Sequence, residues 1–264
     1  MTAASPARVP VLMYHEIADA AETASPLAVA PAAFAAQLGY LRSAGFTTLT
    51  ASELLARLAG DVGKLPERPV VLTFDDGYAD CHSRALPALA RHGCTATIFV
   101  TTGWLQDADM RRSAAGRMLN STQLFELADA GMEIGAHTRR HPQLDQLPRQ
   151  QVREELHSSR QWLEGELGLP VPGLAYPYGY SSAAVREAAR ETGYGYACGV
   201  GNRMAGPASD LLELPRLTVR QDTTLPAFRR LVDGRLTMRL LEDRALTKGW
   251  AGVRRVRALS NAAR

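Results

Sequence analysis

The sequence predicts an α/β fold in which a parallel sheet closes into a barrel. Apolar, strand-like runs alternate with helical patterns along most of the 264 residues. Several of the helical patterns stop at a glycine, the residue that most readily takes the left-handed conformation of a helix end. Strands that alternate with helices in this way form parallel sheets, and so many repeats of the unit favour closure into a barrel.

Each element has its own signal in the sequence. Strand-like apolar runs lie at residues 9–14, 47–50, 70–74, 95–100, 132–136, 173–176 and 196–200, and a weaker one lies at 214–219. Helical periodicity marks residues 31–44, 51–59, 79–91, 121–130, 148–167 and 181–192. Ser121 has the position of an N-cap. The polar, aperiodic segment 107–117 is predicted to be a surface loop.

Composition narrows the function classes. Hydrophobic residues make up 46% and charged residues 22% of the chain, which predicts one large domain with a substantial core. A net charge of +3 without a basic stripe argues against nucleic-acid binding. Only residues 235–264 are rich in arginine, and they are interpreted as a solvated helix, with a weak contact to a membrane surface or a protein partner as the alternative.

The cysteines and the N-terminal residues bear on the cellular location of the protein. Cys81, Cys94 and Cys198 are an odd number without metal-binding spacing, which is typical of free thiols in a reducing environment. The first residues lack a basic region followed by a long apolar run, so no signal peptide is expected, and no apolar segment has the length of a membrane span. A cytoplasmic location is therefore predicted, with an extracytoplasmic location as the alternative if a leader segment precedes this sequence.

Polar residues at the carboxyl ends of the predicted strands mark the candidate site, because a (β/α) barrel carries its chemistry at this end. They are His15, Asp75, Asp76, Thr101, Thr102, His137 and the segment 176–178.

Asp75 and Asp76 follow the buried third strand in the sequence TFDDG. Two adjacent carboxylates at such a place are costly unless a positive group neutralises them. Gly77 can turn both toward one cavity, where one could bind a metal ion while the other acts as a base. A surface turn or a helix N-cap is the alternative interpretation.

His137 and His141 lie four residues apart in the sequence HTRRH. This spacing allows both imidazoles to bind one metal ion, although Pro142 argues against a continuing helix, so a single turn would have to present them. Two histidines and one carboxylate are a sufficient set for a catalytic zinc ion. Satisfied core or surface histidines are the alternative.

Two weaker motifs complete the candidate site. In the sequence YPYG, Pro177 and Gly179 fix the backbone, so that a main-chain N–H could face a developing oxyanion, although the same residues also form ordinary turns. His15 ends the first strand, where it either faces the same cavity as Asp75 or packs at the barrel mouth.

With these motifs in place, residues 9–220 resemble the polysaccharide deacetylase family, which shares the NodB homology domain (carbohydrate esterase family 4). TFDDG, HTRRH and the PYG turn carry the resemblance, and VLMYHEI and LADAGMEIGAHT are similar to the branch of poly-N-acetylglucosamine deacetylases. The resemblance implies a distorted, incomplete (β/α) barrel of about seven parallel strands. Residues 1–225 would form this catalytic domain, and residues 226–264 a basic helical C-terminal extension.

The family implies a metal-dependent hydrolase that removes N-acetyl groups from an amino sugar, whether free, carrier-linked or polymeric. One divalent metal ion, usually Zn²⁺ with Co²⁺, Ni²⁺ or Fe²⁺ as alternatives, would be held by Asp76, His137 and His141, and Asp75 would be the base. The candidate substrate-binding residues are Tyr176, Pro177, Tyr178, Gly179 and Trp104.

The chain departs from the commoner family pattern in two places. Many members carry an arginine two residues before the proline of the PYG turn, where it steadies the base, but Ala175 stands here. Many also have a general-acid histidine near the C-terminus, whereas no histidine follows His157. The AYPYG form resembles the branch in which the first-strand histidine is the acid, which implies His15. A metal-activated water or Asp75 itself is the alternative.

Two other functions compete with this hypothesis. A hydrolase of a non-sugar N-acyl or cyclic amide is disfavoured by the intact TFDDG motif. A non-enzymatic binding module is disfavoured because the aspartates and histidines of the candidate site are all present.

Overall fold

The computed structural model describes residues 8–106 and 117–235, together with residues 241, 242 and 245. Most of the predicted loop at 107–117 and nearly all of the predicted basic tail therefore lie outside the described residues. Within the described ranges, no helix is long and apolar enough to cross a membrane.

The predicted alternation of strands and helices is confirmed, with element ends that differ by a few residues. The strands are β1 (Val11–Tyr14), β2 (Thr47–Leu49), β3 (Pro69–Phe74), β4 (Thr97–Val100), β5 (Glu133–Ala136), β6 (Gly173–Ala175), β7 (Tyr196–Cys198) and β8 (Leu217–Thr218). The helices are α1 (Pro31–Ser43), α2 (Ala51–Ala59), α3 (Leu86–His92), α4 (Ser121–Asp129), α5 (Arg149–Leu167), α6 (Ala183–Thr192) and α7 (Leu225–Val232). A π-helical turn, Cys81–Ala85, leads into α3.

The sheet is a curled, incomplete barrel of parallel strands, as predicted. Seven strands follow one another in the order β7-β6-β5-β4-β3-β1-β8, and β2 pairs with β3 beside this path. The two edges approach each other at residues 214–218. Leu214 forms a parallel bridge with Cys198 of β7, while Leu217 and Thr218 pair with β1. One short segment thus contacts both edges of the sheet.

Side chains of the strands alternate between two apolar layers, as the period-two geometry of a strand requires. In β3, Leu72 and Phe74 lie in the outer layer beneath the helices, whereas Val71 lies in the inner layer. The rings of Tyr14, Phe34 and Phe74 pack together in the outer layer with centroids 5.3 to 5.8 Å apart. Full burial of each large apolar side chain stabilises the fold by about 1.5–3 kcal/mol.

A polar cluster around Glu133 lies at the amino end of the barrel. The Glu133 carboxylate accepts hydrogen bonds from the hydroxyls of Ser52, Thr97 and Tyr196 and from the backbone N–H of Ser52. The Thr97 hydroxyl in turn accepts the backbone N–H of Ala51. The cluster therefore ties the first turn of α2 to β4, β5 and β7.

The N-cap of α4 corrects the sequence prediction by one residue. Asn120, not Ser121, accepts the backbone N–H of Gln123 at 2.8 Å, and the Gln123 side chain accepts the backbone N–H of Asn120 at 3.1 Å. This reciprocal pair satisfies two N–H groups at the helix start, which a lone serine one residue later would not do.

Helix α7 spans the predicted boundary between residues 225 and 226. Its side chains Phe228, Leu231 and Val232 are buried in the outer layer, and the Phe228 ring packs 6.4 Å from that of Tyr40 on α1. Residues 225–232 therefore pack with the barrel, and the division at residue 225/226 stays a prediction.

Candidate active site

Strand register brings His15 beside Asp75 at the carboxyl end of the barrel. β1 and β3 run parallel with Tyr14 opposite Phe74, and the backbone N–H of Asp75 donates to the carbonyl of Tyr14 at 3.0 Å. The residues that directly follow β1 and β3, His15 and Asp75, therefore lie side by side at the carboxyl end of the sheet. β5 ends at the same edge of the sheet and adds His137.

Asp76, His137 and His141 form a cluster with the donor set of a metal site. One ligand atom from each side chain lies within 4.8 Å of the other two. Both ring Nε2 atoms lie 3.3 Å from Asp76 Oδ1, yet this buried oxygen has no partner in hydrogen-bond geometry among the described residues. An orphaned buried carboxylate oxygen is costly, and a divalent cation would satisfy it. The residues therefore fit a divalent metal ion, for which two imidazoles and one carboxylate are a known catalytic set.

Neighbouring groups orient both histidines. Nδ1 of His137 lies 2.8 Å from the carbonyl oxygen of Ala175. Because a carbonyl oxygen only accepts, Nδ1 carries the proton, and Nε2 is the atom that faces the cluster. The His141 ring packs against Trp104 and Tyr178, with centroids 4.9 and 4.7 Å away. Such contacts fix the direction of each ring before a ligand arrives.

Asp75 is neutralised by Arg216, a partner that the sequence motifs did not reveal. Oδ1 and Oδ2 of Asp75 accept hydrogen bonds from two guanidinium nitrogens at 2.6 and 2.7 Å. The same guanidinium donates to the hydroxyl of Thr73 and to the carbonyl of Gly199. Arg216 is fully buried, so this bidentate pair holds the carboxylate in one orientation. It does for Asp75 what an arginine at the position of Ala175 would do.

Burial and neighbouring charges act in opposite directions on the pKa values of the site. Burial raises the pKa of Asp75, but Arg216 and His137 lower it to below its ordinary value. Burial also raises the pKa of Asp76, but the imidazoles of His137 and His141 beside its carboxylate bring it well below the ordinary value. The pKa of His15 is lowered by burial, which Asp75 and Asp76 offset only in part. Asp75 is therefore ionised at neutral pH and able to accept a proton.

Positive φ angles of non-glycine residues are concentrated at this end of the barrel. Among the non-glycine residues of the described chain they occur at Asp76, Thr138, His141, Tyr178 and Asn202, between 47° and 75°. Such backbone costs about 1 kcal/mol or more per residue. The turns that aim the side chains of the site are therefore formed at the expense of local stability.

A cavity of about 390 Å³ opens over the cluster. The predicted acid, base and metal-binding residues all line it, and so do Tyr178 and Gly179 of the predicted substrate-binding set. Tyr178 is 52% exposed, so its ring is available to a ligand. These positions agree with the placement expected from the strand ends.

The other predicted substrate-binding residues lie elsewhere. Tyr176 is fully buried in the outer apolar layer, and its hydroxyl donates to the carbonyl of Leu212 at 2.9 Å. Pro177 is buried as well. Trp104 lies behind the His141 ring and is not among the described residues that line the cavity. Tyr176 and Pro177 therefore shape the turn, and Trp104 supports a histidine.

The strand β8 and the residues on either side of it supply three polar residues of the site that the sequence motifs missed. Arg216 reaches Asp75, and Thr218 and Arg220 line the cavity, whereas Leu217 and Val219 lie in the outer core. The alternation RLTVR is the signal that could have found them, because residues two apart in a strand share a face.

The curled barrel and the polar cluster at its carboxyl end define a class of hydrolases in which an Asp-His-His set lies beside a neutralised aspartate. Within this class, the chain belongs to the polysaccharide deacetylase family, whose model matches residues 62–197.

Relatives and solved structures agree with this assignment. YxkH of Bacillus subtilis, which is named as a polysaccharide deacetylase, is 32% identical over 72% of this chain, and the match spans 63% of the length of YxkH. The poly-beta-1,6-N-acetyl-D-glucosamine N-deacetylase of Staphylococcus aureus is 24% identical over 77% of this chain and 70% of its own. The structure of the Streptococcus pyogenes deacetylase PplD in complex with acetate superimposes with a TM-score of 0.77 at 26% identity, over 88% of this chain and 100% of PplD.

Proposed function

We propose that this protein is a metal-dependent N-deacetylase of N-acetylated amino-sugar units, with Asp75 as base and His15 as acid. The observation that carries the proposal is the convergence of the Asp76, His137 and His141 ligand atoms within 4.8 Å, in the cavity that Asp75 also lines. The name of the Staphylococcus aureus relative supports an N-acetylglucosamine unit as the substrate class.

The reaction adds water to the carbonyl carbon of the acetamido group and then breaks the C–N bond, which yields acetate and a free amine. Asp75 takes a proton from the attacking water, and Arg216 keeps its carboxylate ionised and in one orientation. A divalent cation held by Asp76, His137 and His141, most simply Zn²⁺, would polarise the carbonyl and lower the pKa of the water.

The leaving nitrogen needs a proton, and His15 is placed to give it. Its ring lines the cavity, and its Nδ1 is buried, so Nε2 is the nitrogen through which it can exchange a proton with a substrate. Burial lowers the pKa of His15, so its protonated ring gives up a proton more readily, while a smaller fraction of the rings is protonated at neutral pH. The backbone N–H of Tyr178, on a positive-φ turn at the cavity edge, is the proposed donor to the oxyanion.

The test combines metal analysis with acetate release from β-1,6-linked and β-1,4-linked N-acetylglucosamine oligomers. We expect about one bound divalent ion per chain, lost in His137→Ala, since this removes one of the ligands. Asp75→Asn should keep the metal and lower kcat on the order of 10²–10⁴-fold. His15→Ala should also lower kcat with the metal retained. His157→Ala, at an exposed histidine of α5, is the matched control and should behave as wild type.

Three results would contradict the proposal. Turnover by metal-free protein would show that the reaction does not need a metal ion. Full turnover by Asp75→Asn would show that Asp75 is not the base. Hydrolysis of cyclic or non-sugar amides in preference to every amino sugar would favour the alternative amidohydrolase.

A further inference from the structure

We infer that the substrate carries an anionic group, a phosphate ester or a carboxylate, close to the acetamido sugar, and that Arg220 binds this group. The inference rests on the proposed function and specifies the substrate class of the same site.

The backbone on both sides of Arg220 fixes it at the cavity. The N–H of Val219 donates to the carbonyl of Met13 at 3.0 Å, and the N–H of Gln221 donates to the carbonyl of Pro26 at 3.0 Å. Met13 and the residue after Pro26 both line the cavity, as does Arg220. Arg220 is therefore positioned by the segments that form the cavity wall.

A turn directly after Arg220 adds a second restraint. The N–H of Arg220 donates to the Thr223 hydroxyl at 2.9 Å, and the N–H of Thr223 donates back to the carbonyl of Arg220 at 3.0 Å. This reciprocal pair holds the Cα of Arg220 where the extended chain ends, so the backbone at this position needs no ordering when a ligand arrives.

Arg220 shares a strand face with Arg216 but has a different role. Residues 216, 218 and 220 lie on one face, and four residues of extended chain separate the two arginine Cα atoms by about 13 Å. Arg216 is fully buried and bound to Asp75, whereas Arg220 is half-buried and lines the open part of the cavity. A group bound by Arg220 therefore lies beside the reacting acetamide rather than on it.

The charges around the cavity favour an anion. Asp75 and Asp76 are the carboxylates that line it within the described chain. Arg216 cancels the charge of Asp75, and a divalent cation would more than cancel that of Asp76, so the metal-loaded cavity would be positive without any contribution from Arg220. A concave site of one sign attracts ligands of the opposite sign. A guanidinium fork fits two oxygens of a phosphate or a carboxylate better than it fits sugar hydroxyls.

The kinetic test compares N-acetylglucosamine with N-acetylglucosamine 1-phosphate, N-acetylglucosamine 6-phosphate and N-acetylmuramic acid. We expect at least one anionic sugar to have a KM at least tenfold below that of N-acetylglucosamine. Arg220→Gln should raise that KM by tenfold or more, a clearly larger factor than any rise in the KM of the neutral sugar. Arg220→Lys keeps the positive charge but loses the forked guanidinium. Its KM for the anionic sugar should therefore lie between the values of wild type and Arg220→Gln.

Arg203→Gln is the matched control, because Arg203 is exposed and its loss removes the same net charge. It should leave every KM unchanged. Preference for the two phosphates or for the muramic acid distinguishes a phosphate ester from a carboxylate. Equal KM values for neutral and anionic sugars in wild type, or equal effects of Arg220→Gln and Arg203→Gln, would overturn the inference.

Calorimetric binding of the same four sugars to metal-free protein separates this inference from the proposed function. Tighter binding of an anionic sugar that is lost in Arg220→Gln supports the role of Arg220 even if no sugar is deacetylated. If neutral oligomers are deacetylated but neutral and anionic sugars bind equally well, the proposed deacetylase function is supported and the anion site at Arg220 is rejected.

Discussion

The two ends of strand β5 carry polar side chains in opposite situations. At the amino end, the Glu133 carboxylate accepts hydrogen bonds from three hydroxyls and one backbone N–H. At the carboxyl end, His137 belongs to a cluster in which the buried Oδ1 of Asp76 has no hydrogen-bond partner within the described chain. The first carboxylate is satisfied by the protein itself, and the second is left for a ligand.

This difference separates the end of the barrel that stabilises the fold from the end that carries the candidate active site. A satisfied polar network fixes the packing of the elements that it joins. An unsatisfied cluster held by positive-φ turns costs stability and persists because the surrounding barrel determines its geometry. Substitutions at the two ends should therefore affect different measurements.

Arg216→Met should have the largest effect, because it leaves Asp75 as a buried charge without its guanidinium. We expect the free energy of unfolding to fall by about 3–5 kcal/mol and the deacetylation rate to fall by at least about 10²-fold, since Asp75, the proposed base, loses its orientation. Urea unfolding and acetate release at 20 °C or below, where the variant stays folded, measure the two quantities.

The double variant Asp75→Asn with Arg216→Met is the control for that result. Removal of both charges should recover most of the lost stability, because neither partner is then buried alone. Activity should not recover. A double variant that is no more stable than Arg216→Met would show that the single substitution acts through packing and not through charge.

Glu133→Gln should affect stability without affecting catalysis. The amide keeps one acceptor oxygen but replaces the other with an N–H₂ group that faces hydroxyl donors, so we expect a loss of about 1–2 kcal/mol in the free energy of unfolding. The kcat/KM of the folded, metal-loaded variant should stay within twofold of wild type. A large loss of kcat/KM at unchanged stability would contradict the division between the two ends.

Asp80 tests a carboxylate that is satisfied less completely than Glu133. Burial raises its pKa to about 6, although the N–H of Ile17, which donates to its Oδ1 at 2.9 Å, acts in the opposite direction. The folded protein therefore binds more protons than the unfolded chain between the ordinary pKa of 3.8 and about 6, and this group makes stability fall as pH rises through that window.

Asp80→Asn should remove that pH dependence and still accept the Ile17 N–H through its amide oxygen. We expect the variant to gain on the order of 1–2 kcal/mol over wild type at pH 7.5, with much less gain at pH 4.5, after allowance for the partial exposure of Asp80. Urea unfolding of both proteins at the two pH values, with equal metal loading, measures the difference. A gain that is the same at both values would show that ionisation of Asp80 is not its cause.

The sequence predicts those parts of the fold and the site that depend on local pattern. The strand–helix alternation, the TFDDG turn and the two histidines of HTRRH are each encoded within a few residues, so their placement at the carboxyl end follows from the barrel rule. Arg216 escaped prediction because its partner lies 141 residues away and β8 is only two residues long. The alternation RLTVR places Arg216 on the same strand face as Thr218 and Arg220, but it does not show that the partner of Arg216 is Asp75.

The error at Tyr176 has a different physical cause. It follows β6 directly, and its place at a strand end predicted a cavity residue. Side chains alternate, however, so Ala175 lies in the inner layer while Leu174 and Tyr176 lie in the outer one. The prediction placed Tyr176 correctly at the end of the strand but on the wrong face of the sheet. The sequence does not show whether the even-numbered or the odd-numbered residues of a strand point inward.

The segment at residues 214–218 that contacts both sheet edges has a consequence for the order of events during synthesis. The ribosome releases Asp75 long before Arg216, so the nascent barrel carries an unmatched aspartate until its last strand emerges. Pairing of that strand with β1 both seals the sheet and supplies the guanidinium. Pairing of β8 with β1 and neutralisation of Asp75 are therefore coupled, and a chain truncated before residue 216 has neither.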